Sequence, residues 1–393
     1  MQHPASVQHR NGTADPDAGN RQNSYPELRL LPRRFYIDPT IYEEELERVF
    51  GRQWQFLGHV SQIPGKGDYF IEDLCGESIL VVRGQDEGIR AFLNHCRHRG
   101  HRLCSSVTGN ARTFTCPYHQ WTYGLDGSLV RAPGNKDGEV FDYRDWGLHA
   151  VRVEVWHGLI FGWLSEVEGP SLASCLAFDD TPFRRLEAGR VKEIHRESYD
   201  IEANWKILLE NYLECYHCLG SHPELCVTMD VQATYANTGG DWKRQYFPGL
   251  LQLRPGMKTG SMDGSLVSKP LGEFAASAEL PDGYGAGFGI VPSLTRVIFH
   301  VDHAIVHAMR PIDVSHVRWQ TFWYVRDDAE EGVDYDVERV TELWRLTNKE
   351  DISLCEGAFQ GVHSRRFVSG PLDPVREAAI PAALETYREL MQA

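Results

Sequence analysis

Two pairs of cysteine and histidine residues constrain the fold of this chain more than any other feature. Cys96 precedes His98 by two positions, Cys116 precedes His119 by three, and seventeen residues separate the two pairs. Thiolates and imidazoles are strong metal ligands, so the two pairs are candidates for one shared metal centre. The spacing predicts two short hairpin loops that face each other, with both sulfurs deep and both imidazoles at the tip.

Two kinds of metal centre use two cysteines and two histidines. A structural Zn²⁺ site is the first, but common zinc patterns keep the two cysteines together and the two histidines together. The second is a [2Fe–2S] cluster with cysteines on one iron and histidines on the other, whose neutral imidazoles raise the redox potential. The alternating order in this chain favours the iron–sulfur cluster and predicts a protein that handles electrons.

The length and net charge of the chain limit the number of domains and the classes of partner that can be expected. With 393 residues it is too long for one ordinary domain and can bury a core in each of two. Its formal net charge of −15 would repel nucleic acid and anionic membranes, so neither is expected as a partner. The absence of a long apolar run and of a secretory pattern at Met1 predicts a cytoplasmic protein.

Changes in composition and in the pattern of apolar residues along the sequence predict three segments. Residues 1–30 are polar and are predicted to form a disordered tail. Residues 31–165 combine a lead-in helix with short apolar runs broken by turn residues, which indicates an antiparallel β domain. Residues 166–393 alternate helical and strand patterns, so the whole chain is predicted to be α+β. Helices are expected over 171–188, 204–219 and 334–362 and from Pro374, and strands over 191–199, 295–308 and 317–325.

The glycine-rich residues 283–289 do not form a dinucleotide-binding fingerprint. Pro292 follows at the point where such a fingerprint requires a helix to begin. No nicotinamide or flavin site is therefore predicted in the chain, and its electrons must come from a separate reductase.

The nine cysteines do not indicate a disulfide scaffold, because their number is odd and their spacing is irregular. Outside the two pairs, each is expected to be a buried and inert thiol. These are Cys75, Cys104, Cys175, Cys215, Cys218, Cys226 and Cys355.

A second metal site is predicted at two histidines in the second half of the chain. His217 and His222 lie five positions apart, so on an unbroken helix they would point about 140° away from each other. The helix must therefore open, and Gly220 and Ser221 provide the break while Pro223 prevents simple continuation. Two imidazoles and one carboxylate on one face of a metal form the site of non-haem Fe(II) oxygenases.

The carboxylate ligand cannot be chosen by spacing, which leaves Glu350, Asp351 and Glu356 as candidates on the long helix. A competing metal site at His300, His303 and His307 with Asp302 is not favoured. On one predicted strand, His300 and His303 would face opposite ways and could not converge on one ion.

Three segments of the chain resemble Rieske oxygenase α subunits. Residues 94–100 and 116–124 resemble the two signature loops of that family, and residues 210–223 resemble its mononuclear iron motif. The resemblance extends over roughly residues 35–393. It implies an N-terminal antiparallel β Rieske domain followed by a helix-grip (START-like) catalytic domain with an antiparallel sheet.

The resemblance also implies the cofactors and their ligands. Cys96, His98, Cys116 and His119 would hold the Rieske [2Fe–2S] cluster. The mononuclear non-haem Fe(II) would be held by His217, His222 and Asp351, because residues 350–356 resemble the family segment in which the aspartate is the ligand.

One acidic residue near the iron motif has a separate role by resemblance. In the family, the acid three positions before the first histidine is not a ligand but connects it to a Rieske histidine of a neighbouring subunit. Glu214 would take this role and couple His119 of the next chain to His217. The family builds head-to-tail trimers, so a homotrimer is expected.

Glu214 also indicates a branch of the family. This position is more often Asp, whereas carnitine, glycine betaine and stachydrine oxygenases carry Glu in the same Glu-Cys-Tyr-His string, and residues 261–264 also resemble the betaine branch. The expected activity is that of a monooxygenase that uses O₂ and electrons from a flavin- or ferredoxin-type, NAD(P)H-dependent reductase. It would hydroxylate and N-demethylate a cationic, betaine-like quaternary ammonium compound with release of formaldehyde. The alternative is an aromatic ring-hydroxylating or O-demethylating Rieske oxygenase.

Overall fold

The computed structural model describes residues 29–135, 139–236, 246–248, 252–277 and 279–392. Of the tail predicted over residues 1–30, residues 1–28 lie outside the described residues. Leu30 is described, and its N–H donates a hydrogen bond to Ser369 Oγ (3.0 Å). The helices in the described part of the chain are α1 Arg34–Ile37, α2 Pro39–Glu45, α3 Leu172–Cys175, α4 Thr181–Arg185, α5 Trp205–Tyr212, α6 Cys218–Ser221, α7 Leu225–Thr228, α8 Val231–Ala236, α9 Val337–Val362 and α10 Ala379–Gln392. None of these helices has the length and apolar character needed to cross a membrane.

The strands of the described residues fall into three antiparallel sheets. They are β1 Gln55–His59, β2 Asp68–Leu74, β3 Glu77–Arg83, β4 Ile89–Leu93, β5 Thr108–Asn110, β6 Phe114–Thr115, β7 Thr122–Tyr123, β8 Leu129–Arg131, β9 Ala150–Trp156, β10 Leu159–Trp163, β11 Val191–Ile201, β12 Tyr246–Pro248, β13 Gly285–Ile290, β14 Thr295–His300, β15 His303–Asp313 and β16 His316–Arg326.

The first sheet has the described order β1-β10-β9-β4-β3-β2-β5, and its strand β3 is apolar on both faces. Successive side chains of a strand point to opposite faces, so the apolar run of β3 contributes to two cores. Leu80 and Val82 pack in the same core as Cys96, whereas Ile79 and Val81 pack in a second core on the other face. The strand is thus buried on both sides, which explains why its sequence is continuously apolar.

The two cysteine–histidine loops extend from strands of different sheets in this first half. One loop follows β4, and the other connects β6 to β7 in a small sheet of order β6-β7-β8. Both loops contribute buried side chains to one core, which contains Cys96, Cys116 and Tyr123.

The second large sheet lies between the first sheet and the helices. Its described order is β11-β16-β15-β14-β13-β12. On β16, Phe322 packs edge-to-face on Phe56 of the first sheet, with ring centroids 5.2 Å apart. Trp323, which points to the opposite face, packs in a core with Trp344 of α9. This arrangement confirms the predicted α+β class, with an antiparallel sheet held between a β domain and helices.

Two predicted elements outside the iron motif differ from those in the structure. The helix predicted over 171–188 is two short helices, α3 and α4, because Asp179 Oδ1 accepts the Thr181 N–H and starts a new turn before Pro182 (3.0 Å). The strand predicted over 295–308 is a hairpin of β14 and β15 that turns at Val301 and Asp302. The glycine-rich residues, which were left without an element, form most of strand β13.

Candidate active site

The two cysteine–histidine loops have the same backbone geometry. In each, the cysteine N–H donates to the carbonyl five residues later, at 2.8 Å in both loops. Each cysteine carbonyl also accepts from the N–H four residues later, at 2.9 and 3.0 Å. That fourth residue is left-handed in both cases, with φ +72° at Gly100 and +60° at Gln120. The two loops therefore form a matched pair of tight turns.

The four predicted cluster residues come together where the loops face each other. The Cys96 and Cys116 side chains are 2% and 1% exposed, respectively, whereas His98 is exposed. The rings of His98 and His119 are nearly perpendicular, with centroids 4.6 Å apart, and Trp121 stacks on His98 at 4.9 Å. The sulfurs are thus deep and the imidazoles lie at the surface.

The surroundings of the sulfurs fit a bound iron–sulfur cluster. Both thiols are free, and Cys96 Sγ lies 3.3 Å from the Tyr123 hydroxyl. Burial raises the pKa of the Cys116 thiol, while N–H groups of Tyr118 and His119 oppose the rise. Hydrogen bonds of this kind stabilise cluster thiolates and tune their potential. Two buried sulfurs and two outer imidazoles match the donors of a cluster with one inner and one outer iron.

The iron motif begins where α5 ends. Asn204 starts this helix, because its Oδ1 accepts the Lys206 N–H (3.0 Å), and the helix ends at Tyr212. The prediction of one helix from 204 to 219 is therefore wrong. The Glu214 carboxylate accepts the N–H groups of Tyr216 and His217, and this capping folds residues 213–217 into a turn.

The predicted break between the two histidines is displaced. Gly220 and Ser221 belong to the single helical turn α6, which has His217 at its N-cap and His222 at its C-cap. The chain leaves the helix at His222, where φ is −125° and ψ is 68°. The two histidines thus flank one short helical turn, and this lets both rings point to the same place.

A disulfide links Cys215 and Cys218 inside this motif. The turn brings their Cα atoms to 4.8 Å, within the range that a disulfide can span. The expectation of inert buried thiols is therefore wrong for these two residues, and the Cys-x-x-Cys spacing was the signal for it. The other five cysteines outside the cluster pairs are free.

Three predicted ligand atoms converge on one point. His217 Nε2 lies 3.2 Å from His222 Nε2, and Asp351 Oδ1 lies 3.2 and 3.0 Å from the two nitrogens. Two ligand atoms at about 2.1 Å from a metal and at right angles would be about 3.0 Å apart. The spacing therefore fits the facial arrangement of two histidines and one carboxylate around Fe(II).

Two carboxylates fix the orientation of the imidazoles. Glu214 Oε1 lies 2.5 Å from His217 Nδ1, and Glu350 Oε2 lies 2.7 Å from His222 Nδ1. In the neutral form that binds a metal, each carboxylate would keep the imidazole proton on Nδ1, so that both Nε2 lone pairs point at the metal position. Glu350, one of the three ligand candidates, thus orients a ligand, and Glu356 instead accepts the Glu202 N–H (3.2 Å). This orienting role of Glu350 was missed from the sequence.

The charges of the site suit a divalent cation. Burial lowers the pKa of His217, but hydrogen bonds to Asp351 and Glu214 outweigh it and raise the pKa to about 9. Burial raises the pKa of Asp351, but the two imidazoles outweigh it and the net pKa is lowered. Asn211 Nδ2 donates to Asp351 Oδ1 (3.2 Å) and holds the carboxylate in place. Three acids around two imidazoles leave negative charge that a metal ion would neutralise.

The competing histidine cluster is buried, and its one carboxylate, Asp302, is hydrogen-bonded within the protein. His300 and His303 lie side by side with ring centroids 4.8 Å apart, so the prediction that they face opposite ways is wrong. The reason is the hairpin turn at Asp302, which makes them cross-strand neighbours. Asp302 accepts from Thr259 Oγ1 (2.6 Å) and from the Val267 N–H (2.7 Å), and it lies 2.7 Å from His303 Nδ1. Its oxygens are therefore already engaged by the protein.

Family models match both halves of the chain. Residues 53–148 match the Rieske [2Fe–2S] domain. Residues 188–393 match the catalytic domain of the ring-hydroxylating α subunit.

Several characterised proteins are similar in sequence. The chain is 34% identical over 388 residues to the glycine betaine monooxygenase oxygenase subunit of Pseudomonas aeruginosa strain UCBPP-PA14, covering 92% of this chain and 89% of that one. It is 36% identical to the carnitine monooxygenase oxygenase subunit of Escherichia coli K12 over 56% of this chain and 59% of that one. It is 40% identical to biphenyl dioxygenase subunit alpha of Metapseudomonas furukawaii, but over only 49% and 44% of the two chains.

Solved structures share the fold over nearly the whole chain. The quaternary ammonium Rieske monooxygenase CntA in complex with L-carnitine superimposes with a TM-score of 0.73 at 25% identity, over 93% of this chain and 96% of that one. Naphthalene 1,2-dioxygenase from Rhodococcus sp. with bound indole superimposes with a TM-score of 0.70, at 21% identity and over 92% and 94% of the two chains.

Proposed function

The chain belongs to the Rieske ring-hydroxylating oxygenase α-subunit family, and from this premise we propose that it N-demethylates a betaine-like quaternary ammonium compound. Its cofactors are a Rieske [2Fe–2S] cluster and a mononuclear non-haem iron. When bound, the cluster supplies electrons one at a time and the iron supplies oxygen activation. A separate NAD(P)H-dependent reductase would provide the electrons.

The share of the chain that is similar to each relative is the main support for the proposed substrate class. The likeness to a glycine betaine monooxygenase covers 92% of the chain, whereas the likeness to a biphenyl dioxygenase covers 49%. Glu214 in its Glu-Cys-Tyr-His string supports the same choice. The higher local identity to the biphenyl enzyme, 40%, keeps aromatic ring hydroxylation as the second candidate.

The chain's own residues would prepare the mononuclear site. His217, His222 and Asp351 would hold the iron, because their three ligand atoms lie 3.0 to 3.2 Å apart. Glu214 and Glu350 keep the imidazoles in one tautomer and orientation. Restricting these side chains before the metal binds reduces the reorganisation that binding and catalysis require.

The cluster site would deliver electrons across a subunit boundary. Cys96, Cys116, His98 and His119 would hold the cluster, with the imidazoles towards the surface. Glu214, whose side chain is 12% exposed, would connect His217 to His119 of a neighbouring chain. This requires a closed ring of subunits, and we propose the homotrimer.

The overall reaction balances without further reagents. An N-methyl group, O₂, two electrons and two protons give an N-hydroxymethyl group and water. The C–N bond of this product then breaks, the bond electrons return to nitrogen, and the hydroxyl proton leaves. Formaldehyde and the demethylated amine result.

A substrate panel tests this function. Purified enzyme with a reductase and NADH would be given glycine betaine, carnitine and a proline betaine, and in parallel biphenyl and an aryl methyl ether. We expect O₂ uptake with matching formaldehyde and demethylated amine from at least one betaine. Hydroxylated aryl products without formaldehyde from any betaine would reject the proposal and support ring hydroxylation.

A further inference from the structure

Arg296 lies near the mononuclear site and has no anionic partner among the described residues. It lies on β14 opposite His307 of β15, on the sheet face that is directed towards α5. Its guanidinium carbon lies 5.1 Å from the centroid of the Tyr212 ring. Within the described part of the chain no carboxylate pairs with it. By contrast, Arg310 and Arg318, on the opposite face of the same sheet, pair with Glu72 and Asp200.

Two further donors at this point lack acceptors. Tyr212 Oη and His307 Nε2 are both buried and have no hydrogen-bond partner among the described residues. Their rings lie 5.5 Å apart. A buried donor without an acceptor is destabilising, so these two donors would gain from a ligand that accepts hydrogen bonds.

The tautomer of His307 follows from its other nitrogen. Trp319 Nε1–H, which can only donate, points at His307 Nδ1 (3.3 Å), and Thr321 Oγ1 lies 3.0 Å from the same atom. Asn348 Nδ2 also donates to Thr321 Oγ1 (3.0 Å), which leaves the hydroxyl hydrogen for His307. Nδ1 is therefore the acceptor, and the proton is on Nε2.

The group is adjacent to the iron ligands. Tyr212 directly follows Asn211, which donates to Asp351 Oδ1 (3.2 Å). Burial and the nearby Arg296 lower the pKa of His307 to about 3, so its imidazole is neutral and donates from Nε2 only. A guanidinium, a phenol O–H and an imidazole N–H thus lie around the Tyr212 ring, next in sequence to Asn211, and a carboxylate can accept from all three.

We propose that Arg296, Tyr212 Oη and His307 Nε2 bind the carboxylate of the substrate, so that the enzyme selects quaternary ammonium compounds that carry a carboxylate. This inference rests on the proposed function and adds the feature of the substrate that is recognised. Holding the carboxylate at one end fixes which N-methyl group lies beside His217, His222 and Asp351. Arg296 is then a specificity-determining residue.

The test compares two ligands that differ at one end. Glycine betaine and choline share the trimethylammonium group, and choline has a hydroxymethyl group in place of the carboxylate. Isothermal titration of the holoenzyme should show that Arg296→Gln weakens glycine betaine binding roughly 10- to 100-fold. Choline binding should not weaken, because the variant removes a cation near its ammonium group.

Three variants control for indirect effects. Arg318→Gln removes an arginine on the opposite face of the sheet and should leave both ligands unaffected. Arg296→Lys keeps the charge but not the planar fork, so it should restore part of the betaine affinity. Tyr212→Phe keeps the ring and should lose only the smaller contribution of the hydroxyl. Equal weakening of both ligands by Arg296→Gln, or no weakening of either, would overturn the proposal.

Benzoate separates this inference from the proposed function. If the wild-type enzyme binds benzoate through Arg296 and binds no quaternary ammonium compound, the carboxylate site stands and the proposed substrate class is wrong. If wild-type enzyme demethylates glycine betaine and Arg296→Gln binds it equally well, the function stands and the carboxylate site is wrong. Binding of neither glycine betaine nor benzoate by the wild-type enzyme overturns both.

Discussion

The two proposed metal sites of the molecule collect their ligands in opposite ways. All four cluster residues fall between Cys96 and His119, on two turns with matching backbone hydrogen bonds. The mononuclear site joins His222 to Asp351, 129 residues away, and depends on a turn, a one-turn helix and a long helix meeting. A local site can be recognised from spacing, whereas a dispersed site exists only once the core has formed.

Removing one proposed iron ligand should show most clearly that the two sites are independent of each other. His222→Ala takes away one of three converging ligand atoms, so formaldehyde formation should fall by more than about 100-fold. The visible spectrum of the cluster should not change, because its ligands lie in another domain core. Loss of the cluster spectrum in this variant would mean that the sites are not independent.

Glu214 and Glu350 form a matched pair, because each accepts from the Nδ1 of one ligand histidine. Glu350→Gln should weaken iron binding about 10- to 100-fold through this orientation effect alone. Glu214→Gln should have a similar or smaller effect on iron content but should also block oxidation of the reduced cluster in a single turnover with iron-loaded enzyme. If both variants oxidise the cluster at the wild-type rate, the assignment of Glu214 as the bridge is wrong.

A glycine in the first cluster loop tests whether that site depends on local backbone geometry. Gly100 has φ +72° and open space where a Cβ would be, so Gly100→Ala should destabilise through backbone strain alone, by about 1–2 kcal/mol. Gly357 lies inside α9, also with open space, and Gly357→Ala should stabilise by about 0.5–1 kcal/mol. Thermal unfolding measures both, and a shift of the same sign for the two would contradict this explanation.

The last comparison concerns a buried carboxyl group that supports the dispersed site. Glu210 of α5 accepts from the Tyr36 hydroxyl (2.5 Å), and burial raises the pKa of Glu210 to about 8 from its ordinary 4.5. The folded state therefore keeps a proton that the unfolded state releases, so this stability is complete below pH 4.5 and is lost as the pH rises to about 8. Between pH 6 and 8 the wild type should lose up to about 1.4 kcal/mol per pH unit relative to Glu210→Gln. Unfolding free energies of the wild type and Glu210→Gln that change in parallel with pH would contradict the raised pKa of Glu210.

The same contrast explains how much of the molecule could be predicted from its sequence. The β domain, the α+β class and the cluster residues follow from local patterns and from resemblance to the family. The end of α5 at Tyr212 and the Cys215–Cys218 disulfide were missed, because helical periodicity continues through a turn that a carboxylate caps. The position of His300 beside His303 was also missed, since it depends on a two-residue hairpin without a strong turn signal.

The dispersed contacts were the least predictable. Glu350 was visible as an acid, but its contact with His222 depends on how α9 packs against the iron motif. Arg296 gave no signal at all, because its significance lies in the lack of a carboxylate partner among the residues that the structure describes. Such features depend on tertiary contacts that no sequence period encodes.

Mixed oligomers test most directly whether the two sites cooperate across chains. Cys116→Ser removes a cluster ligand and His222→Ala removes an iron ligand, so each variant alone should be inactive. If electrons pass from the cluster of one chain to the iron of the next, co-expressed oligomers should recover about a quarter of the wild-type activity per chain. Oligomers that contain both variants and remain inactive would contradict electron transfer between subunits.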